Sequence, residues 1–151
     1  VTAAIWMAYG LYLAKKQGMR LYLLNEDAGV SRDFVVSCDP EEICSISEGV
    51  NEFCEENALD PNQTMTLSLA LEELMMITAE KTLKNQGTMD VRILKIKDGA
   101  LLRIRSEGEP YNPLEHEKDN LDFIGVQMIM GMATRTEYQS TLGLNTLVVE
   151  I

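Results

Sequence analysis

The sequence predicts an α/β two-layer sandwich: a mixed, mostly antiparallel sheet with three helices on one face, plus an apolar helix at the N-terminus. Three observations carry that prediction. Apolar residues recur at helical spacing in three separate segments. Short β-branched or alternating runs meet at tight turns, one at Asp98-Gly99 and one around Thr141-Leu142-Gly143. The resulting order is strand, helix, helix, hairpin, loop, helix, hairpin, which lacks the alternation that a doubly wound parallel sheet needs. With 151 residues, 46% apolar and 25% charged, the chain has the length of one domain and a globular composition, which excludes wholesale disorder.

The N-terminal segment, residues 1–24, opens with Val1–Ala14, which carries no charge and holds Trp6, Tyr9 and Tyr12 ahead of Lys15, Lys16 and Arg20. As a helix, fourteen residues reach about 21 Å, short of the roughly 30 Å of a bilayer's hydrocarbon core. Two readings stay open: residues 1–20 are the cut-off end of a membrane-spanning helix and so a tether, or they are an apolar helix packed on the domain or on a partner. The polar, Gly-containing stretch 25–33 reads as a linker, and residues 34–151 as the main domain.

Phe34–Cys38 is short and β-branched, a strand. Asp39-Pro40 then starts a helix over Glu41–Asn57, with Ile43, Ile46, Val50, Phe53 and Cys54 on one face. Asp60-Pro61 starts a second helix by the same device. It is apolar on most faces and so central, with Leu67, Ala70, Leu71 and Leu74 as its core stripe, and it stops near Asn85-Gln86-Gly87. Met89–Lys97 and Ala100–Arg105 form a hairpin, Glu107–Asn120 a loop, and Leu121–Ala133 a third helix. Arg135–Ser140 and Leu144–Ile151 close the sheet.

Charge and motifs exclude several functions. Thirteen Lys+Arg against twenty-four Asp+Glu give a net charge of −11, which repels phosphate backbones and argues against nucleic acid as a partner. Neither a P-loop nor a G-x-G-x-x-G fingerprint occurs. Cys38, Cys44 and Cys54 with the single His116 do not make a zinc set or a disulfide framework, which points to a reducing, cytosolic compartment and no metal site. Glu72-Glu73 stands out, because it interrupts the most apolar helix of the chain. At least one of the two carboxylates must find a partner, a cleft or solvent there. Glu73 shares a stripe with Leu69, Met76, Ile77 and Glu80 that rims the core stripe.

Four stretches in order carry a family resemblance. They are Asp33–Asn57, Leu69–Lys81 (LALEELMMITAEK), Arg103–Leu114 (RIRSEGEPYNPL) and Phe123–Ile151. Together they resemble the anti-sigma-factor serine-kinase branch of the GHKL ATPases, the histidine-kinase-like, Bergerat-fold ATP-binding domains. The resemblance implies ATP or ADP as ligand and a bacterial protein. It also implies roles for single residues. The family's box Glu, a base that activates a partner's hydroxyl, falls on Glu73 and its magnesium-binding Asn on Ile77. Its adenine-reading Asp falls on Ser106, the Gly and Asp of the following segment on Gly108 and Asn112, and the later glycine box on Gly125. Lys81 takes the place of a His or Lys four past the box Asn.

The departures weigh against catalysis. The Ile77 side chain offers no oxygen to Mg²⁺, and Ser106 accepts from adenine less strongly than a carboxylate. A contact of the adenine kind discriminates by about 1–3 kcal/mol, and phosphoryl transfer without Mg²⁺ loses its main electrostatic support. The resemblance therefore implies a degenerate nucleotide-binding regulatory domain. The apolar start would append it to a membrane protein, such as a transporter of the multidrug-and-toxin extrusion (MATE) type, on the cytoplasmic side. Its protein partner would be an anti-sigma-antagonist-like protein or the membrane protein itself, and a homodimer is left open. Two alternatives stand beside it: a protein-interaction module that needs no nucleotide, and an active serine/threonine kinase with Thr78 or Glu80 replacing the missing Asn. In the interaction reading, Met75, Met76, Met128, Met130 and Met132 either pack the core or serve adaptable contacts.

Overall fold

Two Asp-Pro pairs start the long helices, as the sequence predicts. Asp39 caps α1 (Pro40–Glu56), accepting the Glu41 N–H at 3.2 Å. Asp60 caps α2 (Pro61–Ile77), accepting the Asn62 N–H at 2.9 Å, while the Asp60 N–H donates to Gln63 Oε1 at 3.4 Å. In both helices the proline's missing N–H falls where no intrahelical acceptor exists. A computed structural model describes residues 31–151, and residues 32–151 make one of the two units into which the chain divides. The predicted N-terminal helix, residues 1–24, and residues 25–30 of the predicted linker lie outside the described residues. Among those described, no helix is long and apolar enough to cross a membrane.

The sheet has five strands: β1 (Ser31–Ser37), β2 (Thr88–Ile96), β3 (Gly99–Glu107), β4 (Arg135–Thr141) and β5 (Leu144–Glu150), in the order β1-β2-β3-β5-β4. The β2–β3, β3–β5 and β4–β5 ladders are all antiparallel. Strand β1 begins three residues before the predicted start at Phe34, because charged side chains hold its first residues. Arg32 donates to Glu56 at 2.9 Å and to the Gly49 carbonyl at 3.0 Å. The Arg92 guanidinium grips both Asp33 oxygens at 2.6 and 3.0 Å. In the β2–β3 hairpin Ile96 faces Gly99, so the turn is Lys97-Asp98, one residue earlier than predicted. In the β4–β5 hairpin Leu142 and Gly143 both have positive φ, 52° and 81°, the signature of a type I′ turn.

Alternation along the strands decides which side is covered. Val91 and Ile93 of β2, Leu102 and Ile104 of β3, and Leu147 and Val149 of β5 share one face and one core with the helices. Helix α2 sits in the middle of that layer, packed against α1 on one flank and α4 (Ile124–Met132) on the other. Its predicted core stripe of Leu67, Ala70, Leu71 and Leu74 is buried. The predicted rim stripe splits: Ile77 enters the core, while Leu69 and Met76 stay exposed. Past Ile77 the helix continues as a π turn, Thr78–Thr82, closed by the Leu83 N–H on the Thr78 carbonyl at 3.0 Å. Positive φ at Lys84 and Asn85 then ends it.

The predicted loop holds a short helix, α3 (Pro113–His116), capped by Asn112. Helix α4 starts at Ile124 rather than Leu121. Asn120 draws the intervening residues into a turn by accepting the Asp122 N–H at 3.0 Å. Four helices and a five-stranded antiparallel sheet thus make up the described residues.

Candidate functional site

Helix α4 begins without a cap of its own: Phe123, at its N-cap position, makes no side-chain hydrogen bond to the helix. Glu73 of α2 supplies one, its Oε2 accepting the Val126 N–H at 2.8 Å. A carboxylate at the positive end of a helix satisfies one orphan donor and meets the helix dipole favourably. Gly125 belongs to the same contact. A Cβ there would lie 2.7 Å from Glu73 Oε2, 2.8 Å from the Ala70 nitrogen and 2.8 Å from Leu69 Cγ. Glycine lets the start of α4 approach α2 closely enough for the cap to form.

A second group ties down residues 108–120. The buried Asn145 side chain donates to the Gly108 carbonyl at 3.1 Å and to the Ser106 carbonyl at 3.4 Å, and accepts from the Tyr138 hydroxyl at 3.0 Å. The Tyr138 oxygen in turn accepts the Tyr111 N–H at 2.7 Å. The Tyr111 hydroxyl donates to Glu117 at 2.6 Å, and Asn120 donates to the other Glu117 oxygen at 2.9 Å. Burial first, and then the bond to Glu117, push the Tyr111 hydroxyl up to about 12; the same bond holds the Glu117 carboxyl below its ordinary value. Gly108 adopts a φ of +151° and presses on the π turn, where a Cβ would come within 2.3 Å of the Thr82 carbonyl oxygen. Asn112 Oδ1 accepts the Leu114 N–H at 3.1 Å.

The space among Thr78, Thr82, Ser106, Tyr111, Tyr138 and Asn145 is closed by this network to about 10 Å³, room for one water at most. Of the residues that the resemblance assigned to a nucleotide, only Ser106 lines it. Ile77 is buried in the core, Gly125 and Glu73 are spent on the α2–α4 contact, and Gly108 and Asn112 shape the strap formed by residues 108–120. Lys81 has its ammonium 6.0 Å from the Tyr111 ring centre, and His116 stacks on the same ring at 4.7 Å. The predicted site residues are therefore not brought together around one cleft.

Between α1 and α2 lies an open groove of about 650 Å³, mainly apolar, with Leu59, Pro61, Met65 and Leu69 along it and Glu55 and Glu72 at its edges. Met65, Leu69 and Met76 are 54%, 36% and 44% exposed. With Glu72 they recur at spacings of four, three and four, so they form one stripe about 16 Å long on α2. Glu72 is held in place from α1, accepting from Ser47 Oγ at 3.2 Å and from Cys44 Sγ at 3.4 Å. That bond raises the Cys44 thiol above its usual value, which keeps it protonated and a poor nucleophile. Met75 is fully buried and Met76 is exposed, so the methionines of the predicted cluster divide between core and surface. The stripe spacing was available in the sequence, but its exposure depends on where α1 crosses α2, which periodicity does not encode.

No protein-family model and no curated protein matches the chain. Among solved structures it is similar to a chain in the crystal structure of the SiaB-SiaC complex from Pseudomonas aeruginosa, with a TM-score of 0.59 at 15% identity, over 96% of this chain and 99% of that chain. That degree of likeness shows the fold alone. The assignment to the anti-sigma-factor kinase branch of the GHKL ATPases, and with it the attachment to a MATE-type transporter, is overturned: the structural match is to a component of the SiaB-SiaC complex, and no family model supports the ATPase domain. The physical reason is in the motifs, whose glycines and acidic residues this fold uses for helix capping and close packing.

Proposed function

We propose that residues 32–151 are a protein-interaction module with a regulatory role, docking a partner protein on the face formed by α1 and α2. One observation carries this reading: the groove beside the exposed stripe Met65, Leu69 and Met76, on a helix otherwise committed to the core. Apolar surface kept in water at one place, rimmed by polar groups, marks a surface that a partner covers. Methionine suits such a surface, since its unbranched chain adapts to the contour opposite. The similar fold was itself solved in a complex of two proteins, which agrees with the reading without identifying a partner. A nucleotide plays no part in it.

The test is a pull-down with the 151-residue chain as bait, run in parallel with Met65→Asp and with and without ATP. A partner retained by the wild type, released by Met65→Asp and indifferent to ATP supports the module. Identical capture by both baits contradicts it.

A further inference from the structure

We propose that the α1–α2 groove takes an amphipathic helix of a partner protein whose apolar stripe is flanked by Lys or Arg; this rests on the reading of that groove as the docking face. The walls dictate a helix. Both are helical, with backbone groups already bonded within the helices, so no strand edge is offered for an extended peptide. What remains is side-chain docking into a trough, which suits a helix presenting apolar residues at spacings of three and four. The stripe on α2 matches about three turns of such a helix.

The charge dictates the flanks. Helix α1 carries Glu41, Glu42, Glu48, Glu52, Glu55 and Glu56 and no Lys or Arg; α2 carries Glu72 and Glu73 and no Lys or Arg. Arg32 pairs with Glu52 and Glu56, whereas Glu55 and Glu72, which line the groove, pair with no cation among the described residues. Ser47 and Cys44 fix the Glu72 carboxylate, so it meets an incoming cation with its orientation already set. A second copy of this chain would bring the same glutamates face to face, and an anionic surface would be repelled outright.

The probe is a set of three synthetic peptides of about four helical turns: one with a leucine stripe flanked by lysines, one with the same stripe flanked by glutamates, and one with the lysines kept and the leucines scrambled. Each is titrated into the 151-residue chain by fluorescence anisotropy, with amide shifts followed by NMR. The lysine-flanked peptide is expected to bind about tenfold more tightly than the glutamate-flanked one at low salt, the preference shrinking as salt rises. Shifts should centre on Ser47, Asn51, Leu69 and Glu72. Glu55→Lys, at an exposed position, should narrow or reverse the preference while leaving the fold intact. Equal affinity for both flank charges overturns the inference, as does equal affinity for the scrambled peptide or shifts away from the groove. A dimer in sedimentation that Met65→Asp dissolves also overturns it, in favour of a second copy. Should the peptides show no charge preference while Met65→Asp still releases a partner in the pull-down, the charge inference fails and the docking face stands.

Discussion

Glu73 Oε2 accepts the Val126 N–H at 2.8 Å, so the central helix α2 caps its neighbour α4 across 53 positions of sequence. Removing that acceptor leaves a helix N-terminus with an unpaired, partly buried donor. Glu73→Ala is expected to destabilise the fold by about 1–2 kcal/mol, read as a lower urea midpoint at unchanged slope. Glu73→Gln, which keeps an acceptor and loses the charge, should cost about half as much.

Gly125 answers to the same contact. In an open helix Gly→Ala is stabilising by roughly 1 kcal/mol. Here the new methyl meets the Ala70 backbone nitrogen at 2.8 Å, and backbone does not step aside. Gly125→Ala is therefore expected to lower stability, by about 1–3 kcal/mol, with the loss partly shared with Glu73→Ala when the two are combined. Thermal melts of both single variants and the double measure it.

The Tyr111–Glu117 bond predicts pH dependence at both ends of the scale. The Tyr111 hydroxyl is raised to about 12, above the ordinary value near 10. Its contribution is complete below the unfolded value and is lost as pH climbs from about 10 towards about 12. The Glu117 carboxyl is lowered, so its contribution is present above the unfolded carboxylate value and is lost as pH falls through the folded one. Tyr111→Phe should flatten both slopes in a stability-against-pH curve, and should remove one late-titrating phenol from the ultraviolet titration.

Met65 and Met76 hold up little of the fold. Both are about half exposed, so Met65→Asp and Met76→Asp should each cost about 1 kcal/mol, too little to unfold the domain. A loss of partner binding in these variants then reports on the surface rather than on unfolding, which chemical denaturation of the same samples checks.

Local structure was legible in the sequence where local chemistry sets it. The Asp-Pro starts of α1 and α2, the two hairpins and the core stripe Leu67, Ala70, Leu71 and Leu74 all follow from capping, turn chemistry and periodicity. The same spacing put Glu73 on one rim stripe with Ile77 and left open what that stripe meets, whereas the fold turns one to α4 and buries the other, because helix neighbours are a tertiary property. Ser106 and Gly108 looked like parts of a ligand box; in the fold they hold the strap from residue 108 to residue 120 through Asn145 and Thr82. A motif in order along a chain records which residues are present and says nothing about what their atoms end up touching. The groove was missed for that reason: Glu72 read as one odd carboxylate on an apolar helix until the crossing of α1 and α2 set it with Glu55 along one trough.

A photo-crosslinking residue placed at position 65 of the chain, with a control at the fully exposed position 142 in the β4–β5 turn, tests the docking face most directly. Expressed in its own cells, the chain should give one heterologous protein adduct from position 65 and none from position 142. No adduct from position 65, or the same adducts from both positions, contradicts a partner seated between α1 and α2.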